Sequence, residues 1–195
     1  EENGEIVLSG DDGTVEVSGT LDAAGRAAGE TGGAVTVTGR AVAVRTGARI
    51  DTTGPAGGGA IRVGGDAMGG TADAATLAGY HIRPARKPIP TAETTMVESG
   101  ATLAADATDA GRGGSVVVWS DSTTAFAGTI TATGGPRGGD GGFVETSGKR
   151  TLQAGGTVRT GAVNGTAGVW LLDPADITIS TGGSTTPIGG TYAPT

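Results

Sequence analysis

The chain repeats one short pattern of glycine and alternating apolar positions six times. An apolar residue stands two positions after each glycine, and an apolar or β-branched residue four positions after it. Successive glycines are separated by 29, 26, 55, 28 and 26 residues. Strict alternation is typical of a β-strand, and a repeat of 26 to 29 residues is typical of a solenoid of stacked coils. The glycines are Gly4, Gly33, Gly59, Gly114, Gly142 and Gly168.

The two apolar columns predict the side chains that point into the solenoid. The position between them should face water, although it mixes apolar with charged residues: Val7, Thr36, Arg62, Val117, Glu145 and Leu171. In the last coil, Trp170 either plugs the end of the core or marks a local widening of it. The predicted core column is Ile6, Leu8, Val35, Val37, Ile61, Val63, Val116, Val118, Val144, Thr146, Trp170 and Leu172.

Each coil is predicted to contain three short strands. In the second coil these are residues 34–37, 41–44 and 49–52, with Thr36, Arg45, Arg49 and Asp51 facing water. One uniform offset of 29 aligns the first coil with the second, so that Val15 matches Val44. The pattern therefore predicts an all-β chain, a parallel β-helix of about six coils of three short strands.

The 55-residue gap predicts one coil with a long insertion at about residues 66–93. The segments 95–98 and 101–105 supply the second and third strands of that coil. The insertion is rich in proline and basic residues, and long loops on repeat scaffolds often carry function. Two interpretations stay open: a contact for a partner, or a loop that packs along the rod and covers one face. The candidate contact residues are His81, Arg83, Arg86 and Lys87.

Two domain segments are expected, a β-helix over 1–179 and a Gly/Thr/Pro-rich tail or linker over 180–195. With 40 glycines and 3% aromatic residues, the chain suits a narrow core of small aliphatic side chains. The net charge of −7 argues against nucleic-acid binding. The chain contains no run of 18 apolar residues, so no transmembrane segment is predicted. We expect any export signal to lie outside this chain.

The acidic residues do not form a catalytic constellation. No three successive coils place them in one register, so we predict no enzyme activity, no cofactor and no metal site. A lone histidine without a second ligand nearby is weak support for a metal. The acids are scattered among turns: Asp11, Asp12, Asp22, Asp51, Asp106, Asp109, Asp121 and Asp140.

The second half of the chain resembles the filamentous-haemagglutinin-type exoproteins of bacterial two-partner secretion. The resemblance implies a right-handed β-helix, export through a partner outer-membrane pore, and an extracellular surface fibre used for adhesion. The amino-terminal secretion domain of that family is not recognisable, so the chain is expected to be an internal or distal segment. The segments that support the resemblance are 113–121 (GGSVVVWSD), 126–130 (FAGTI), 138–148 (GGDGGFVETSG), 170–174 (WLLDP) and 177–179 (ITI).

The sequence leads us to expect one of three alternative functions. The leading one is a structural and adhesive segment at the bacterial cell surface, with the secretion pore as partner and a host-cell or glycan receptor. The second is a filament building block that stacks end to end through edges at 5–8 and 169–172. The third is a carbohydrate-active β-helix module, which would need an acidic cleft on consecutive coils.

Overall fold

Short strands separated by tight turns make up most of the chain. The computed structural model describes residues 4–173, 175–180 and 185–187, which include eighteen strands. A 3-10 turn, Ala67–Gly70, and one helix, α1 (Ala74–Gly79), are the helical segments of this described part. The strands are β1 (Glu5–Ser9), β2 (Thr14–Val17), β3 (Thr20–Asp22), β4 (Ala34–Thr38), β5 (Ala41–Val44), β6 (Arg49–Asp51), β7 (Ala60–Val63), β8 (Thr94–Val97), β9 (Thr102–Ala104), β10 (Ser115–Ser120), β11 (Thr123–Phe126), β12 (Thr129–Thr131), β13 (Phe143–Gly148), β14 (Thr151–Ala154), β15 (Thr157–Arg159), β16 (Val169–Leu171), β17 (Asp176–Ser180) and β18 (Thr185–Pro187).

The strands stack into three sheets that run along the solenoid. Sheet 1 has the order β1-β4-β7-β10-β13-β16, and sheet 3 has the order β15-β12-β9-β6-β3. Sheet 2 runs β2-β5-β8-β11-β14-β17-β18, and every pairing in the three sheets is parallel except that of β17 with β18. The predicted all-β parallel solenoid of about six coils is confirmed. The sixth coil differs from the others, because β18 pairs antiparallel with β17 and no third-sheet strand follows within the described residues.

The uniform offset of 29 between the first two coils is wrong for the second strand. β1 pairs with β4 and β3 with β6 at an offset of 29, but Val15 pairs with Val42 and Val17 with Val44, an offset of 27. The first coil has a longer turn before its second strand and a shorter one after it. A shift of two residues leaves each side chain on the same face of the strand, so the inward pattern survives.

The repeated glycines stand at the start of the sheet 1 strands, where there is no room for a side chain. A Cβ on Gly59, Gly114, Gly142 or Gly168 would lie 2.0 Å from the carbonyl oxygen of the glycine one coil earlier. That oxygen accepts a ladder hydrogen bond from the residue after the glycine, as when Ser115 N donates to Gly59 O at 2.9 Å. None of the six column glycines has a positive φ. The sequence signature therefore marks a close approach of stacked backbones.

The interior of the solenoid is a continuous apolar core between the three sheets. Of the predicted column, Ile6, Leu8 and Trp170 are partly buried and the others are buried. The indole Nε1 of Trp170 donates to the Thr146 hydroxyl of the preceding coil at 3.0 Å. The ring packs against the main core and also against Leu152 and Leu172.

The boundary between β-helix and tail remains a prediction. Of the predicted tail, the described residues are Ser180 and β18, and the rest of 180–195 lies outside the described part. The structure has its long insertion between β7 and β8, at residues 64–93.

Candidate functional site: the insertion and the sheet face beneath it

The outward face of sheet 1 is covered. Thr36, Arg62, Val117 and Glu145, which the alternation places outside the solenoid, are buried. The expectation that this column faces water is wrong for them, because the insertion packs over this face. Val7, in the first coil, is 57% exposed and does face water.

A second apolar cluster lies between the insertion and sheet 1. Its buried members are Ala67 and Ile82 of the insertion and Val117, Trp119 and Phe143 of sheet 1. The partly buried Met68, Leu77 and Leu171 pack against it, and the rings of Tyr80 and Phe143 lie 5.0 Å apart. The inner surface of the insertion therefore packs along the rod, as one of the two interpretations expected.

Local sequence explains the shape of the insertion. The Asp66 carboxylate accepts from Ala67 N at 2.9 Å at the start of the 3-10 turn. The Asp73 carboxylate accepts from Thr76 N at 2.7 Å and caps α1, and this bond lowers the pKa of Asp73. The segment ends where Ala92 N donates to Gly64 O at 2.7 Å, which closes the excursion beside the point where it began.

Polar groups join the insertion to the covered face. Arg62 Nε donates to the Asp66 carboxylate at 2.7 Å, and a second guanidinium nitrogen of Arg62 donates to the Arg83 carbonyl. The Thr38 hydroxyl donates to the Pro90 carbonyl at 2.6 Å. Both side chains belong to the sheet and bind the insertion at three separate points, near its start, middle and end.

Glu145 is the unusual member of this interface. Its side chain is 0% exposed; Oε2 accepts from Met68 N at 2.9 Å, and Oε1 has no hydrogen-bond partner among the described residues. Burial raises the pKa of Glu145 to about 7, against the lowering effect of the Met68 N–H and the Ser147 hydroxyl, while Asp173 and Asp66 add smaller upward effects. From the sequence, Glu145 was expected to face water and was not singled out, although a charged residue in a mixed column was a signal.

The four candidate contact residues lie on the outer surface of the insertion, where all are exposed. The structure separates them into two places. His81 and Arg83 line a cavity of about 200 Å³ together with Arg112 of the solenoid. Arg86 and Lys87 line a groove of about 540 Å³ that runs beside Val7, Pro88 and Ile89.

The acidic residues of the turns are used as structural acceptors. Asp22 and Asp51 are neighbours in sheet 3, and each is bound by an arginine and by a backbone N–H two residues later. Asp106 accepts from Thr133 N at 2.7 Å and from two threonine hydroxyls. Among the described residues no group of three or more His, Cys, Asp or Glu side chains could hold a metal ion. The helical segments in the same part of the chain are all too short to cross a membrane.

One solved structure gives a direct comparison. The chain is similar to the crystal structure of the HMW1 secretion domain from Haemophilus influenzae, with a TM-score of 0.64 and 31% sequence identity. The match covers 87% of this chain and 39% of that chain. No protein-family model matches the chain, and a search of curated proteins finds no match.

This similarity confirms the resemblance to filamentous-haemagglutinin-type exoproteins. The chain is a β-helical segment of the kind found in secreted exoproteins, and its neighbour is a secretion domain, not an enzyme. No secretion domain was recognisable from the sequence, whereas the matched structure is described as a secretion domain and this chain aligns with 39% of it.

Proposed function

We propose that this chain is a structural and adhesive segment of a bacterial exoprotein that a two-partner system exports through an outer-membrane pore and displays at the cell surface. The observation that supports it is the similarity of 87% of the chain, at 31% identity, to a secretion domain with the same solenoid. The mechanical part follows from the fold. Each coil is hydrogen-bonded to the coil before it, so coils that form outside the pore add one upon another.

The adhesive part is assigned to the outer surface of the insertion. His81 and Arg83 there meet Arg112 around one small cavity, and Lys87 lies farther along the same segment. The chain as a whole is acidic, with a net charge of −7, so the cations Arg83, Lys87 and Arg112 are a local exception. Guanidinium groups bind carboxylates and sulfates well, and an acidic surface glycan is therefore the receptor class that fits.

A binding screen tests the adhesive part. The purified chain is measured against acidic glycans and host-cell surfaces beside the double variant Arg83→Ser, Lys87→Ser. The matched control is Lys149→Ser, Arg150→Ser, which removes two exposed charges on the turn after β13. We expect the first variant to lose binding and the control to retain it. Equal binding by all three proteins would contradict this assignment and leave a structural stalk.

Export is tested in the cells that produce the exoprotein. Deletion of the outer-membrane pore of its secretion system should leave the protein in the periplasm, and restoration of the pore should return it to the surface. Surface display without the pore would contradict the proposed route.

End-to-end stacking is a second candidate function. It is favoured by the outer edges of β1 and β16, which have no partner strand in sheet 1 within the described residues. Strand edges of this kind can pair between molecules. Sedimentation at increasing concentration should show association of the unaltered chain, and Val7→Lys, at an exposed position of β1, should abolish it. A monomer at all concentrations would exclude this candidate.

A further inference from the structure

The insertion is held to the solenoid by contacts of a different kind from those that hold the coils together. The coils are joined by continuous backbone ladders, whereas residues 67–91 meet sheet 1 through the second apolar cluster and a few side-chain hydrogen bonds. Local elements with few backbone ladders can open without global unfolding. The contacts of the insertion are therefore of the kind that can open locally in a folded protein.

Glu145 stands in the middle of this interface without a cation. Arg62, on the same sheet, gives its hydrogen bonds to Asp66 and to the Arg83 carbonyl. The charged groups that act on the Glu145 carboxyl from the packed elements are Asp66 and Asp173, both acidic. A deeply buried carboxyl with no cation beside it favours the neutral acid over the charged carboxylate.

The backbone at the contact is also held in an unfavourable conformation. Met68, whose N–H donates to Glu145, has a φ of 52°, in the left-handed region that side chains with a Cβ rarely adopt. The two glycines that follow it, Gly69 and Gly70, also have positive φ. Detachment of the insertion would allow this turn to relax.

We propose that the insertion is a strap whose docking on sheet 1 is controlled by protonation of Glu145: it is docked while the carboxyl is neutral and released when the carboxyl is charged. Release would expose the apolar faces of Val117, Trp119 and Phe143 and would free the outer surface of the insertion from its fixed position. Burial raises the pKa of Glu145 to about 7, so the drive towards release grows as the pH rises to about 7 and stays constant above it. The proposal goes beyond the proposed function and does not depend on it.

Trp119 provides a direct optical probe of docking. A Cβ on Gly69 would lie 2.7 Å from Trp119 Cζ2, so the insertion lies directly over the indole ring. The chain has two tryptophans. The Trp170→Phe variant leaves Trp119 as the single fluorophore. Far-UV circular dichroism over the same pH range shows that the sheets stay intact.

The experiment measures acrylamide quenching of Trp119 in the Trp170→Phe protein between pH 5 and pH 8.5. We expect the quenching constant to rise several-fold as the pH increases towards 7 and to level off above it. Adding Glu145→Gln, which replaces the carboxyl with an amide of the same shape, should keep quenching low at every pH. Adding His81→Gln instead should leave the transition unchanged, because His81 is the histidine of the insertion and is exposed.

Three results would overturn the proposal: no change in quenching across this range, a transition that persists in Glu145→Gln, or a transition that disappears in His81→Gln. A second measurement uses the chain with both tryptophans. Trypsin cleavage after Arg86 at pH 8.5 should be several-fold slower in Glu145→Gln than in the unaltered chain. Equal cleavage rates would also contradict the proposal.

Discussion

The interior of the solenoid and the layer beneath the insertion are both buried, but they differ in the side chains they contain and in how their polar groups are paired. The interior contains mostly aliphatic side chains, with the ring of Phe126 among them, and its backbone groups are paired in ladders that repeat from coil to coil. The layer beneath the insertion contains Trp119, Phe143 and the ionisable Arg62 and Glu145. It also contains buried polar atoms without a partner among the described residues, Trp119 Nε1 and Glu145 Oε1. The first arrangement favours one permanent structure, and the second allows a change of state.

The largest expected effect comes from the glycine column. The substitution Gly114→Ala places a Cβ 2.0 Å from Gly59 O in a backbone ladder that has no room to move. We expect a loss of unfolding free energy on the order of 3–5 kcal/mol, measured by chemical denaturation. The matched control is Gly4→Ala, at the same column position, where no atom lies within 4 Å of the added Cβ. The control should cost less than about 0.5 kcal/mol. Similar losses in the two variants would contradict the steric explanation.

The next effect is a cavity in the interior. Ile130 is completely buried between Leu103 and Val158 of the neighbouring coils. Ile130→Ala should lower the free energy of unfolding by about 3 kcal/mol. Val163→Ala is the control, because Val163 is among the exposed apolar residues and should cost almost nothing. A loss below about 1 kcal/mol for Ile130→Ala would mean that the interior is not tightly packed.

A smaller and pH-dependent effect is expected from the layer beneath the insertion. The pKa of Glu145 is raised by burial from its ordinary 4.5 to about 7, so the folded chain holds a proton that the unfolded chain releases. The stabilisation of the neutral acid is complete below pH 4.5 and is lost as the pH rises through 7.

The difference in unfolding free energy between the unaltered chain and Glu145→Gln should therefore change by up to about 3 kcal/mol between pH 4.5 and pH 8. This pH-dependent change will be smaller if the insertion opens before the solenoid unfolds, because Glu145 is then already exposed to water. Subtracting the unfolding free energy of the variant at each pH removes the contribution of other acids. Glu98 is one of them, since hydrogen bonds from Arg45 and Thr46 lower its pKa. A pH-independent difference would contradict the buried, neutral carboxyl.

The smallest effect is expected at the solvated turns. Arg137 forms an exposed ion pair with Asp109 across neighbouring coils. Arg137→Ala should change the unfolding free energy by less than about 0.5 kcal/mol, and less still in 1 M salt. A loss above about 1.5 kcal/mol would show that charge pairing at the corners matters as much as packing.

The sequence was sufficient for the solenoid because each coil repeats the same local requirement. A glycine where backbones nearly touch, followed by two inward apolar residues, can be recognised without knowledge of the rest of the fold. The register of Val15 was wrong by two residues, because two turns of different length compensate for each other around the second strand. Such compensation leaves the inward pattern unchanged, so the pattern could not reveal it.

The layer beneath the insertion could not be predicted in the same way. Whether Val117 and Glu145 face water depends on where a non-repeating segment of 30 residues folds, and that segment has no periodic pattern. One signal was present, since Trp119 and Phe143 alternate outward beside Val117 and give the outer face of sheet 1 an apolar surface. Exposed apolar faces of this kind are normally covered.

Amide hydrogen exchange of the two regions in one sample tests the central distinction most directly. Amides of β7, β10 and β13 should exchange only through global unfolding, with the full dependence on denaturant. Hydrogen-bonded amides of the insertion, such as those of Leu77 and Ile82, should exchange earlier, through a local opening with a small dependence on denaturant. Identical protection and denaturant dependence in the two regions would contradict the account, because the insertion would then be an inseparable part of the solenoid.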